Sequence, residues 1–247
     1  MKILIINPNT TPAITDLVLT HARRLAPEEV TLAAATGAFG PRYIASRAAV
    51  AIASHAALDC YARLGAGCDA VLLACFGDPG LDGLRELADV PVVGMADAAC
   101  TEAARTGPFA IVTGGERWGP MLREFVALRG LADRLVEVRT VAPTGADIAR
   151  DPEASLKTLG DACRAAAAEG AKAVILGGAG LVGLAERLRP EVPVPVICSL
   201  EAGMAAVVAA VRGAPDKPVS GDFAPTPPVP TVALSDRLAA LMEGRAP

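Results

Sequence analysis

Ala70-Val71-Leu72-Leu73-Ala74-Cys75-Phe76-Gly77-Asp78-Pro79-Gly80 is a short apolar run that breaks into a glycine-rich loop. A second stretch, Ala173-Val174-Ile175-Leu176-Gly177-Gly178-Ala179-Gly180, has the same form. Each follows a helix-like segment ending in glycine and a charged residue, Gly67-Cys68-Asp69 and Gly170-Ala171-Lys172. Val90-Pro91-Val92-Val93-Gly94 is likewise matched by Val194-Pro195-Val196-Ile197-Cys198, and the opening Ile3–Asn9 by Phe109–Gly115. Residue numbers differ by 103, 104 and 106 in these three matches. A nearly constant offset across separate elements means two copies of one βα set, not a chance likeness of Val-rich runs.

Outward from these runs, strand-like segments at Lys2–Ile6, Val30–Ala33, Val136–Thr140 and the matches above alternate with helix-like ones. The helical spacing covers Pro12–Leu25, Ser46–Leu64, Gly80–Ala88, Asp97–Arg105, Trp118–Arg129, Pro152–Glu169, Leu181–Arg189 and Glu201–Val211. Strands continuous in Val, Ile and Leu are those that helices cover on both faces of a parallel sheet. The class is α/β, with two pseudo-symmetric, doubly wound (flavodoxin-like) halves. Ligands in such sheets bind beyond the carboxyl ends of the strands, so the active site is expected in the cleft between the halves. The halves are read as 1–100 and 101–212. A tail over 213–247 follows, Pro-rich from Gly213 to Pro230. In it Thr231 is expected to cap a short helix carrying Leu234, Leu238 and Leu241, packed back on the first half or on a neighbouring subunit.

The chain has 247 residues, 52% of them hydrophobic, with 23 Lys+Arg against 27 Asp+Glu. Enough apolar surface is present to bury a large core, which excludes disorder as the main state. A net charge of -4, no Lys/Arg cluster and 3% aromatics argue against a nucleic-acid partner. No apolar run approaches the ~20 residues of a membrane span, and Ile3-Leu4-Ile5-Ile6 is too short for a signal peptide. The six cysteines form no C-x-x-C pair, so a reduced, cytoplasmic protein is expected.

Cys75 is the leading chemical candidate. It follows a buried strand in a loop shaped by Gly77, Pro79 and Gly80, whose amides are expected to lower the thiol pKa from its ordinary ~8.5. A thiolate beside a carbon acid is a proton-transfer base, and the thiol is the matching acid. The competing reading is a small core cysteine. Asn9 and Thr10 suit hydrogen bonding to a carboxylate or amide, and equally a turn and helix cap. Asp78 is expected to orient its loop or cap the following helix. His21 and His55 lie on helices away from these loops, so neither a histidine metal site nor a Ser–His–Asp triad is supported. Gly178-Ala179-Gly180-Leu181-Val182-Gly183 fits G-x-G-x-x-G with Glu201 beyond, the fingerprint of a nicotinamide or flavin site. The Pro-rich tail leaves no room for the rest of a dinucleotide fold, and the repeat already explains this loop as the partner of Cys75–Gly80.

Four stretches resemble the aspartate/glutamate/hydantoin racemase superfamily, nearest its hydantoin and allantoin racemase branch. They are Ile6-Asn7-Pro8-Asn9-Thr10, Ala74-Cys75-Phe76-Gly77-Asp78-Pro79-Gly80-Leu81, Pro91-Val92-Val93-Gly94 and Gly177-Gly178-Ala179-Gly180-Leu181. The resemblance implies no cofactor, no metal, a homo-oligomer, and a small-molecule substrate bearing a carboxylate or cyclic amide. It places Cys75 in the cleft as acid/base, with Asn9, Thr10, Phe76, Gly77, Thr113, Gly114, Gly178 and Ala179 around the substrate. In the family a second cysteine serves the opposite face of the reacting carbon, and here that position is Gly178. Cys198 is then a candidate second acid/base. The alternatives are a decarboxylase that works through one cysteine, as arylmalonate decarboxylase-like relatives do, or a catalytically reduced binding protein. Backbone amides of Gly177–Gly180 are expected to face a substrate oxyanion.

Overall fold

Two parallel sheets of four strands carry the chain, in the orders β2-β1-β3-β4 and β6-β5-β7-β8. The first holds β1 (Lys2–Asn7), β2 (Thr31–Thr36), β3 (Ala70–Leu73) and β4 (Val92–Gly94). The second holds β5 (Phe109–Gly114), β6 (Leu135–Val141), β7 (Ala173–Gly177) and β8 (Val196–Cys198). This is a computed structural model, and it describes residues 1–141, 144–213 and 216–245. The register confirms the repeat residue by residue. Ile3 pairs with Ala70 as Phe109 pairs with Ala173, and Val71 pairs with Val92 as Val174 pairs with Val196.

The central strands β3, β5 and β7 are buried along their whole length, as continuous apolar runs require. In β1 the two faces go to different cores. Leu4 and Ile6 join Val71 and Leu73 beneath the outer helices, whereas Ile3 and Ile5 join Leu72 in a core that runs on through the second sheet. Each fully buried Ile or Leu contributes about 1.5–3 kcal/mol.

The helices are α1 (Pro12–Leu25), α2 (Arg47–Leu64), α3 (Leu81–Leu87), α4 (Met95–Thr106) and α5 (Trp118–Leu128), then α6 (Gly145–Arg150), α7 (Pro152–Ala168), α8 (Leu184–Leu188), α9 (Ser199–Gly213) and α10 (Asp236–Met242). Packing divides the chain differently from succession. Helix α4 leaves the first sheet to lie on β7, and α9 leaves the second to lie on β3 and β4. The two helices pack on each other, and Gly203 lets α9 approach Leu72: a Cβ there would sit 3.0 Å from its Cδ1. By packing, lobe 1 is therefore the first sheet with α9, and lobe 2 is the second sheet with α4.

Three expectations need correcting. The helical spacing of Leu181–Arg189 is divided, with 3₁₀ turns at Ala179–Leu181 and Arg189–Glu191 around α8, because Gly183 takes a left-handed φ of 87° at its start. Helix α6 was not expected; it is held by a reciprocal cap between Thr144 and Asp147. Thr231 does not cap the last helix. Ser235 does, accepting from the Leu238 amide and donating to Asp59 Oδ1 at 2.6 Å, while the Thr231 hydroxyl donates to Glu243. That bond and buried Leu238 fix α10 on α2 of lobe 1. Ala214 and Pro215, at the head of the Pro-rich stretch, lie outside the described residues.

Candidate active site

In both sheets the strand order reverses beside the first strand, and the loops at that switch point converge. Between them lies a cavity of about 60 Å³. Asn9, Cys75 and Phe76 line it from lobe 1, and Thr113, Gly114, Gly178 and Ala179 from lobe 2. Those seven expected residues are brought together. Thr10, Gly77 and Cys198 are not on the cavity wall.

Cys75 follows β3 after Ala74, whose amide still bonds to Ile6 O at 2.8 Å. The chain then turns, with the Asp78 amide on the Cys75 carbonyl at 2.9 Å. The thiol is buried at the cavity floor. Its pKa is not lowered as the glycine-rich turn suggested: burial pushes it well up, and the nearby Asp78 carboxyl adds to the rise. Asp78 is itself pushed up to about 7 by burial, against the pull of two backbone amides. Those amides belong to Ala96 (3.0 Å) and Asp97 (2.7 Å), so Asp78 caps α4 rather than the helix that follows it. Gly94 makes this possible, since a Cβ there would lie 2.1 Å from Asp78 Oδ2.

Glycines let aromatic rings cross from lobe to lobe. The Phe76 ring covers Gly177, where a Cβ would be 2.4 Å away. In return Trp118 of lobe 2 covers Gly77 at 2.7 Å, which is why Gly77 supports the cavity from beneath and does not line it. Tyr43, from the loop after β2, also crosses. Its hydroxyl donates to Gly114 O and accepts from the Gly145 amide, each at 3.4 Å.

Asn9 acts within its own loop: its Oδ1 accepts from Asn7 Nδ2 (3.1 Å) and the Thr11 amide (2.9 Å). The Thr10 amide is bonded to Pro41 O, away from the cavity. Gly178 adopts φ 141°, and its amide donates to Ser199 Oγ at 3.4 Å, so it is not turned to the cavity as an oxyanion donor. Gly180 of the G-x-G-x-x-G run packs against the Gly145 backbone, whose carbonyl oxygen would lie 2.0 Å from a Cβ, so this glycine serves a close approach of two chain segments. Cys198 ends β8 with its sulfur facing the backbone N–H groups of Glu201, Leu200 and Gly183, and burial raises its pKa. Among the described residues no three His, Cys, Asp or Glu gather as a metal-binding group, and no helix is long and apolar enough to cross a membrane.

Sequence reasoning missed Arg42, Tyr43, Trp118 and Gly145 on the cavity wall. A usable signal existed. The sequence has one Trp and two Tyr, and the Trp and one of the Tyr fall at Trp118 and Tyr43, each a few residues beyond the end of a strand.

Known proteins match this arrangement over most of the chain. The Asp/Glu/Hydantoin racemase family model covers residues 3–207. Hydantoin racemase from Paenarthrobacter aurescens is 36% identical over 206 residues, 82% of this chain and 87% of that protein. The crystal structure of allantoin racemase from Pseudomonas fluorescens superposes with a TM-score of 0.89 at 28% identity, covering 94% of this chain and 100% of that one. Allantoin racemase from Klebsiella pneumoniae gives 0.88 at 30% identity, over 98% of each chain. The repeated lobes, the cleft at their switch points and this likeness along nearly the full length agree, and the chain belongs to the Asp/Glu/hydantoin racemase family.

Proposed function

We propose that this protein is a cofactor-independent racemase of hydantoin type, moving a proton at a carbon next to a carbonyl with Cys75 as acid/base. The observation that carries this reading is the position of Cys75: a lone thiol on a cavity wall at the carboxyl end of a central strand, where the two lobes meet. Deprotonating such a carbon needs a base within reach and a pocket free of bulk water, and burial at the cavity floor supplies the second. Burial that raises the thiol makes its thiolate a stronger base toward a carbon-bound proton. A small substrate with a cyclic amide or carboxylate suits the cavity, whose wall joins apolar rings to the Asn9 and Thr113 side chains. The six cysteines, all free, support a reducing compartment such as the cytoplasm. Exposed Phe39 and Ile52 beside the cleft loop support a homo-oligomer.

A second reading is favoured by Gly178: one thiol facing a wall without another cysteine suits one-sided protonation, as in a decarboxylase. Single enantiomers of 5-methylhydantoin in deuterium oxide separate the readings. Loss of optical rotation with deuterium entering the α-position is expected for the racemase. Deuterium incorporation with retention points to one-sided chemistry, and thermal stabilisation without exchange points to a binding protein. Cys75→Ser should abolish racemisation, and full racemisation by that variant would remove Cys75 from the mechanism.

A further inference from the structure

Inversion needs a proton donor on each side of the planar carbanion, and proton transfer at Cys75 supplies only one. No residue that lobe 2 contributes to the wall, from Thr113 and Trp118 to Gly178 and Leu181, carries an ionisable side chain. Cys198 is not on the cavity wall and faces the start of α9. Tyr43 is different. It starts in lobe 1, but its ring crosses the cleft and its hydroxyl rests on lobe 2, against Gly114 O and the Gly145 amide. Gly115, at φ 91°, leaves the space for it, since a Cβ there would be 2.6 Å from the phenol oxygen. The phenol proton is donated to Gly114 O alone, and at 3.4 Å that bond is long, so the proton is loosely held.

We infer that Tyr43 is the second catalytic acid/base, taking the face of the substrate that Gly178 leaves unserved. The inference rests on the proposed racemase chemistry at Cys75. In one direction the Cys75 thiolate takes the α-proton and becomes a thiol, and the C–H electron pair stays with the substrate as an enolate. The Tyr43 O–H bond then breaks, its proton is delivered to the opposite face of that carbon, and a phenolate remains. Solvent returns a proton to Tyr43 and accepts one from Cys75. For the other enantiomer the phenolate abstracts and the Cys75 thiol donates. Burial raises the Tyr43 phenol and the Cys75 thiol alike above their ordinary values, so the two groups facing the cavity are shifted in the same direction.

Tyr43→Phe keeps the ring that fills the cleft and removes only the proton. With each enantiomer of 5-methylhydantoin in deuterium oxide, Tyr43→Phe should lose inversion by at least about 100-fold. It should still exchange the α-proton of one enantiomer, with retention, within about tenfold of the unmodified rate. Cys75→Ser should show the reverse pattern, losing exchange of that enantiomer and keeping, with retention, exchange of the other, whose proton Tyr43 abstracts. Inversion at the unmodified rate in Tyr43→Phe overturns the assignment while leaving Cys75 in place. A parallel fall of exchange and inversion also overturns it, because it reduces Tyr43 to packing. Absence of exchange in the unmodified protein instead refutes the racemase reading itself, and this inference with it.

Discussion

The Cys75 loop of lobe 1 and the Gly178 loop of lobe 2 occupy equivalent places in the repeat, yet they hold their neighbouring helices by opposite means. In lobe 1 the loop reaches out: Asp78 extends its carboxylate to the amides of Ala96 and Asp97 at the start of α4, and Gly94 on the strand stays bare to admit it. In lobe 2 the roles are exchanged. Leu181 stands where Asp78 would be, and Cys198, in the place of Gly94, turns its sulfur to the equivalent amides of Leu200 and Glu201. The helix start is satisfied in both lobes, by the loop in one and by the strand in the other. A loop freed from capping can take another shape, and Gly178 does so at φ 141°. Cysteine position and capping thus go together: the lobe with Cys75 in the cleft ties its loop down with a carboxylate, and in the other lobe Cys198, at the end of the strand, faces the helix start.

The largest effect that could break this contrast is kinetic. Cys75→Ser should lower turnover by about 10³-fold or more, the range expected for loss of a positioned acid/base. Cys198→Ser should leave turnover within about threefold and cost about 1 kcal/mol of stability, as one buried polar contact is replaced by a similar one. Steady-state racemisation and urea denaturation on the same preparations give both numbers. If Cys198→Ser were the inactive variant, the assignment of the two cysteines would be reversed.

Next comes the charge on the capping carboxylate. Asp78 is pushed up to about 7 in the folded protein, so between the unfolded carboxyl range near ~4 and pH 7 the folded state holds more protons than the unfolded one. Its contribution is fully present below the unfolded value and is lost as pH rises toward 7, a loss of at most about 4 kcal/mol. Denaturation midpoints between pH 4 and 8 should fall along that slope, and Asp78→Asn should flatten it. An unchanged slope in the variant would mean that the two helix amides hold Asp78 ionised throughout. Lobe 2, with Leu181 in that position, adds no matching term.

Gly94→Ala sharpens the contrast at the level of packing. The added carbon would collide with Asp78 Oδ2 at 2.1 Å and with Leu81 at 2.7 Å, and overpacking of this kind costs about 3 kcal/mol. In an Asp78→Gly background the same substitution should cost less, by about 1 kcal/mol, because one of the two collisions is gone. Thermal melts of the four proteins in the cycle measure the difference, and strict additivity would deny the Asp78–Gly94 pairing.

The repeat made the two sheets legible because burial on both faces forces apolar runs, and Ile3–Asn9 and Phe109–Gly115 carry that constraint in their residue types. The cavity floor was legible for the same reason: Cys75, Thr113 and Gly178 sit where those runs end. The rest depends on contacts that no local pattern encodes. Tyr43 reaches the far wall of the cleft because Gly115, 72 positions later, leaves a hole for its hydroxyl. Asp78 looks like a cap for the helix beside it, and only the juxtaposition of β3 and β4 reveals that it caps α4. Helices α4 and α9 pack on each other and on the opposite sheets, which a reading by succession does not anticipate.

One feature is the same in both lobes and tests whether the scaffold, as opposed to the loops, has kept its symmetry. Arg85 Nε donates to Val92 O at 3.2 Å and its guanidinium pairs with Asp97; 104 positions on, Arg189 Nε donates to Val196 O at 3.1 Å and pairs with Glu201. Each clamp ties the helix after the cleft loop to the start of the helix behind the sheet. The lobe 1 clamp is better shielded, with the Arg85 side chain 24% exposed against 41% for Arg189. It is also joined by Arg129 of lobe 2, which bonds to Asp82 at 2.9 and 3.3 Å and stands 3.6 Å from Asp97. Exposed pairs contribute about 0.2–1 kcal/mol and networked, shielded ones more. Arg85→Gln should therefore lose about 1 kcal/mol and Arg189→Gln about half of that, read from urea midpoints at low and high salt. Equal losses would mean that Arg129 adds nothing, and that the asymmetry of the two lobes is confined to the cleft loops.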